Sequence, residues 1–271
     1  MSGTPRTPGS DPILLEPIRL EYSGDVAELV LNRPERRNAL DQPAVAAFFG
    51  ALDELEKSLP RALLVRGEGK GFCAGRDLSD AEPLSEDGKA ILEGLNPMFS
   101  RLAGLQCPTV AAVQGAALGV GLGLALACDL LVVGAGAKIG SPFAAIGAVL
   151  DSGAHYHLCS RIGSARTLEL VYTGRLLSGA EAVEWGIANA VHPDDELLGA
   201  ARKLAATIAA GPTSAFVLSK NIVRQVAAGG VSLEKILAAE AAAQGAASRT
   251  TDYGEGISAF QEKRKPTFTG H

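Results

Sequence analysis

The chain has 271 residues, of which 47% are hydrophobic, and a formal net charge of −5. That is ample apolar material for one large domain, or two small ones, folding without a partner. The acidic balance and a pI near 5.5 exclude general attraction to nucleic acid or to an anionic membrane, so any anion site has to be a local cluster of Arg and Lys. Cys73, Cys107, Cys128 and Cys159 show no metal-ligand spacing and lie in apolar or glycine-rich surroundings. This is the usage of reduced thiols in a cytoplasmic protein, and no metal site is expected.

In chain order, Met1 to Asp11 are rich in Ser, Thr, Pro and Gly, with neither an apolar secretion core nor an arginine-rich amphipathic pattern. Residues 1–15 are expected to be a disordered tail. Ile18 to Tyr22 and Ala27 to Leu31 read as two strands joined at the turn Ser23-Gly24-Asp25. Pro34 forbids a ladder hydrogen bond, which puts Arg33, Arg36 and Arg37 on a loop, by composition alone a solvated turn. A helix follows from about Gln42 to Lys57, with Val45, Phe48, Leu52 and Leu55 on one face, then a buried strand over Arg61 to Arg66. At its end stands Gly71-Phe-Cys-Ala-Gly-Arg-Asp-Leu78. Its glycines let the backbone approach a ligand and turn N–H groups inward, as a developing oxyanion requires. Ser79 to Lys89 reads as a polar, mobile loop and Ala90 to Leu105 as a helix.

Strand Thr109 to Val113 runs into the glycines Gly115, Gly119, Gly121 and Gly123, and Leu118 to Ala127 is helical in pattern. The start of that helix, around Gly119, Val120 and Gly121, offers free N–H groups to an oxygen atom. Two glycine-lined turns after two buried strands suggest a split oxyanion site. Thr109 to Cys128 is also an uncharged stretch with glycines at four-residue spacing, which raises a membrane span. Pro108, Gln114, the β-like run and the lack of a basic flank argue against it. Strands at Leu130 to Val133 and Lys138 to Gly140 and a turn at Ser141 to Ile146 lead to Leu150-Asp151-Ser152-Gly153. Asp151 is a lone carboxylate on a segment suited to burial and is expected at the N-cap of a helix Ser152 to Arg161. Burial raises a carboxyl pKa and an N-cap lowers it, so the balance stays open. Beyond Ser164, Ser178 and Glu181 mark a helix start before Trp185-Gly186, and Ile187 to Val191 is a last strand. Helices over Glu196 to Ala209, Pro212 to Ala227 and Leu233 to Ser248 precede a tail with a basic end.

Asn32-Arg-Pro34 with Asn38-Ala-Leu40, Phe72-Cys-Ala-Gly75-Arg-Asp77-Leu, the glycine run ending in Cys128-Asp129, the stretch Gly174 to Gly186, and Gly256-Ile-Ser-Ala-Phe260-Gln-Glu-Lys263 together resemble the enoyl-CoA hydratase/isomerase (crotonase) superfamily. The resemblance covers about Ile18 to Phe268. It implies an α/β fold: a spiral of ββα units over residues 16–195 and a C-terminal helical region, 196–271, through which trimers or hexamers assemble. It also implies an acyl-coenzyme A thioester as substrate, with no separate cofactor and no nucleic-acid or membrane partner. By the same resemblance the backbone N–H groups of Arg76 and Val120 form the oxyanion hole, with Val120 standing where glycine is usual. Arg37, Ala39, Ala74, Asp77 and Leu78, with Gly119 and Phe143, match positions lining the substrate and coenzyme A groove. Phe260 and Lys263 match residues that a neighbouring subunit supplies to the nucleotide end.

The departures from the family pattern matter most. Hydratases of the superfamily hold water between two glutamates, and the matching positions here are Gly123 and Phe143, neither of which transfers a proton. Asp151 instead matches a carboxylate of the isomerase branches, most closely the one rearranging ring-epoxidised phenylacetyl-CoA, where a single base and an enolate suffice. Proline at position 150 is expected there, and this chain has Leu150. Two alternatives stand beside isomerisation: Asp151 as nucleophile, as in haloaryl-CoA dehalogenases, which carry tryptophan at the position of Phe143; and a non-catalytic acyl-CoA binder. His155, four residues after Asp151, is either a relay to it or a packed helix residue.

Overall fold

The computed structural model describes residues 13–79, 81–82 and 85–271. Most of the expected N-terminal tail and three positions of the expected loop at 79–89 fall outside those residues. The tail assignment is corrected at its end: β1 (Ile13–Leu14) pairs antiparallel with β2 (Ile18–Ser23), which pairs antiparallel with β3 (Val26–Leu31). Next come α1 (Gln42–Lys57), β4 (Ala62–Gly67), α2 (Gly88–Gly104), β5 (Thr109–Val113), β6 (Ala116–Leu118) and α3 (Val120–Ala127). Then β7 (Leu130–Gly134), β8 (Lys138–Gly140), α4 (Ala154–Thr173), β9 (Leu177–Ser178), α5 (Gly179–Glu184) and β10 (Ala190–His192) complete the sheets. Four helices follow: α6 (Leu197–Ala209), α7 (Thr213–Ala227), α8 (Leu233–Ala247) and α9 (Thr251–Gln261). The stretch containing a possible membrane span is split into β5, β6 and α3, and among the described residues no helix is long and apolar enough to cross a membrane.

The main sheet has the order β1-β2-β3-β4-β5-β7-β10, parallel from β3 onward, and a smaller sheet has the order β6-β8-β9. The chain alternates between them. After β5 it crosses to β6 and then forms α3; after β7 it crosses to β8 and then forms α4. After β4 the crossing is rudimentary, a bridge from Cys73 to Ala117 of β6. The expected succession of ββα units is therefore present.

Two-sided burial explains why the parallel strands read as unbroken apolar runs. In β4, Leu63 and Val65 pack with α1, α2 and α3 in one core, while Ala62 and Leu64 pack with Leu197, Ala201 and Ala205 of α6 in a second. Helix α6 thus belongs to the sheet's own packing, and the boundary expected at 196 separates it from the strands it covers. Helix α9 occupies what the sequence suggested was only a tail. Its glycines and polar residues mask the helical period, and Thr250 caps it through a bond from the Tyr253 N–H.

On the α6 side of the sheet lies a buried charge cluster. Glu28 of β3 accepts bonds of 2.6 Å from Arg66 of β4 and from Arg202 of α6. Burial alone would raise the Glu28 carboxyl, but the bonds from Arg202 and Arg66 together hold it below its ordinary value. Such a group contributes stability that is complete above its unfolded pKa and is lost as pH falls through the depressed folded one. Glu28→Gln is expected to cost roughly 2–3 kcal/mol in urea denaturation at neutral pH, since Arg66 keeps Glu21 and Glu68 as partners. That deficit should shrink in acid; one that is constant across pH would contradict this account.

Candidate active site

Two backbone turns meet at the junction of the sheets. Cys73 donates to Ala116 O (2.9 Å) and accepts from the Leu118 N–H (3.0 Å), which presses the Gly71–Leu78 segment against β6. Glycine is required on both sides of this contact. Gly75 has φ +105°, and a Cβ there would lie 2.9 Å from Leu118 O; a Cβ at Gly121 would strike Cys73 O. Leu40 donates to Gly75 O and accepts from the Asp77 N–H, so in the Leu40–Arg76 bridge the N–H of Arg76 faces the other way. Among the described residues no backbone acceptor takes it. Val120 opens α3, and its N–H has no preceding helical carbonyl. The two expected oxyanion donors thus flank one contact, with the Cβ direction of Gly75 pointing to within 3.9 Å of Val120 N.

Asp151 stands on the loop before α4, within Coulombic reach of Arg76. The expected N-cap role is corrected: the cap position is Gly153, with φ +73° and no side-chain capping bond, and Ser152 too is left-handed at φ +58°. Two successive left-handed residues delay the helix start and free the Asp151 carboxylate, which accepts a 2.7 Å bond from the Ser152 hydroxyl. With no capping bond to lower it, burial prevails. The carboxyl is held above its ordinary value, and the Ser152 bond and the charges of Arg76 and His155 only partly offset this. His155 itself is exposed, so the bond to the acid comes from Ser152, a residue that no motif in the sequence singles out.

The two departures from the hydratase pattern have a packing cause. A Cβ on Gly123 would collide with Ser152, meeting its Cβ and, at 2.6 Å, its carbonyl oxygen. The acid's loop therefore occupies the space a residue at 123 would need. Phe143 lays its ring over Gly119, 3.0 Å from where a Cβ would be. Gly119, at φ 52° and ψ −116°, has a backbone conformation that only glycine adopts easily.

The surrounding loop is built rather than merely solvated. The Asn38 side chain is buried, donates to Glu68 O and Gly71 O and accepts from the Arg33 N–H. Arg33 bonds Ala39 O, Asp41 and Asp77, so Asp77 ties two loops together, its other oxygen accepting from Ser79. Ala74 donates to Arg37 O (3.0 Å), while the Arg37 side chain and Leu78 are exposed. A cavity of about 890 Å³ runs from Arg76, Asp77 and Val120 between the start of α1 and α2. Asp151 lies outside its wall but within Coulombic reach of Arg76. Phe260, 83% exposed, and Lys263 stand at the end of α9, outside this cluster. Cys73, beside the turns, is buried and its thiol is pushed up to about 12, which leaves it unreactive at neutral pH.

The enoyl-CoA hydratase/isomerase family model matches residues 21–271. The chain belongs to this family. It is 36% identical over 263 residues to the 1,2-epoxyphenylacetyl-CoA isomerase of Escherichia coli, covering 95% of this chain and 100% of that one. It is 34% identical over 267 residues to an enoyl-CoA isomerase/hydratase of Mycosarcoma maydis, covering 94% and 97%. Among solved structures, an enoyl-CoA hydratase from Bacillus anthracis superposes with a TM-score of 0.87 at 30% identity, covering 94% of this chain and 99% of the other. The fold is accordingly the crotonase-like α/β fold of ββα units with C-terminal helices, and the chain carries the family's general acyl-CoA chemistry. The relatives bear both hydratase and isomerase names, so identity alone does not choose between the two activities.

The packing of Gly123 is directly testable. Glycine to alanine inside a helix normally stabilises by up to about 1 kcal/mol. Gly123→Ala should instead destabilise by roughly 1–3 kcal/mol because Ser152 blocks the methyl. A raised denaturation midpoint would show that the acid's loop does not sit where described.

Proposed function

We propose that the protein is an acyl-CoA isomerase in which Asp151 is the single base, working in the cytoplasm as a trimer or hexamer. The Asp151 carboxylate takes a proton from a carbon of the acyl chain, and the electrons of that C–H bond move into the thioester carbonyl. The enolate oxygen accepts from the N–H groups of Arg76 and Val120. When the enolate collapses, Asp151 returns the proton to a different carbon and the double bond has moved. Rearrangement of a ring epoxide is the variant suggested by the Escherichia coli relative.

One observation supports this reading: a carboxylate raised by burial lies within Coulombic reach of Arg76, while the position of a hydratase acid is glycine with Ser152 packed into its space. A base with a raised pKa takes a carbon-bound proton better, and two acids are needed to add water but only one to move a proton. The arginine loop supplies cations toward the coenzyme A phosphates, and the exposed Phe260 and Lys263 suit contact with the nucleotide end bound on a neighbouring subunit.

Incubation with unsaturated and aromatic acyl-CoAs in deuterated water should give solvent label and a moved double bond, and Asp151→Asn should lower the rate about 10²- to 10⁴-fold. Hydrated product as the main outcome, or heavy oxygen from labelled water in the Asp151 carboxylate, would overturn the reading. Only the carboxylate form accepts a proton, so the rate must fall as pH drops through the Asp151 pKa. Ser152→Ala removes a bond that favours the charged form, and the acid limb of kcat/KM should move to higher pH.

A further inference from the structure

Charge in the cavity wall is paired in a way that bears on which acyl groups fit. The wall is apolar along Leu40, Val45, Phe49, Ile91 and Leu95, and it also contains Asp41, Asp77, Glu86 and Arg76. Asp41 and Asp77 are both held by Arg33, at 2.9 and 3.3 Å. Arg76 is the cation of the wall among the described residues, and both its terminal nitrogens donate to Glu86, at 2.9 and 2.7 Å. This two-pronged bond is the strongest and most directional that a guanidinium makes. The side chains are 30% and 35% exposed, so the pair is partly shielded from water and its charges act on whatever enters the cavity.

We propose that Glu86 is a specificity-determining residue: by occupying both prongs of Arg76 it makes the cavity accept uncharged acyl groups and reject acyl groups that end in a carboxylate. The inference rests on the acyl-CoA reading above and deepens it by naming the substrate class. An entering carboxylate has to displace Glu86 from Arg76 and then sit beside the displaced Glu86, with Asp41 and Asp77 sharing the single cation Arg33 and Asp151 within Coulombic reach of Arg76. A terminal methyl or an aromatic ring meets only the apolar wall. Without Glu86, the same guanidinium becomes an unpaired cation facing an apolar chamber, and a carboxylate is the group that best satisfies it. Specificity here arises because the cation is already occupied and the nearby acids repel a second carboxylate; no contact to the preferred group is added.

The test uses saturated acyl-CoAs of equal chain length, one ending in a methyl and one in a carboxylate, which bind without a double bond to move. Titration calorimetry at fixed ionic strength should show the full-length protein preferring the methyl form at least tenfold. Glu86→Gln, or Glu86→Ala if that variant is poorly folded, should shift the ratio at least tenfold toward the carboxylate form, and Glu86→Asp should keep most of the original preference. Adding Arg76→Met to Glu86→Gln should abolish the gain. An unchanged ratio with tight binding overturns the role of Glu86 alone, as does a gain that survives loss of Arg76. Failure of the wild-type protein to bind either thioester overturns the acyl-CoA reading, and this inference with it.

Discussion

The site depends on two backbone turns that touch where only glycine permits it. The segment around Gly75 and the start of α3 are held together by a short parallel ladder through Cys73. Side chains at Gly75 or Gly121 would force the turns apart. Among the described residues the contact leaves the N–H groups of Arg76 and Val120 without backbone partners, which is what the proposed role as donors to an external oxygen requires. Main-chain donors also free the side chains at those positions for other work. Valine at position 120 keeps its main-chain N–H, and arginine at position 76 adds a charge to the cavity wall.

The acid is governed by a second constraint, the competition for space between α3 and the loop that precedes α4. Glycine at 123 admits Ser152 against the helix, and Ser152 in turn bonds the Asp151 carboxylate. The same small residue that removes a possible acid therefore positions the remaining one. Around it charges are largely paired off: Arg33 with Asp41 and Asp77, Arg76 with Glu86. With its strongest cationic neighbour already engaged, the carboxylate remains under the influence of burial, the condition under which a weak base becomes a useful one.

Where local pattern and tertiary packing agree, the elements were legible. Helix α1 was readable end to end because its apolar period is regular, and in the fold Asp41 caps it through a bond from the Ala44 N–H. Strand β5 was equally plain, an apolar run closed by a glycine turn. Elements stabilised by their neighbours were not: β1 is two residues long and exists by pairing with β2, and the pattern of α9 is diluted by glycine. The N-cap expected at Asp151 failed for a local reason, since Ser152 adopts a left-handed backbone that serine rarely takes unless packing requires it. Ser152 as partner of the acid, and Glu86 as partner of Arg76, carry no signal in spacing. Both pairings are local in the chain, one residue and ten residues apart, and depend on how each loop is folded: the left-handed backbone of Ser152 and the path from Arg76 to Glu86.

From its residues alone, then, this chain determined its two glycine turns and a carboxylate on a segment suited to burial, and its family resemblance pointed to the donor positions and to Gly123 and Phe143 where hydratases carry acids. The tertiary structure decided the state of that acid and the character of the cavity. Burial, left-handed backbone and ion pairing depend on which distant segments come within a few ångströms, and no local pattern of residues encodes that distance.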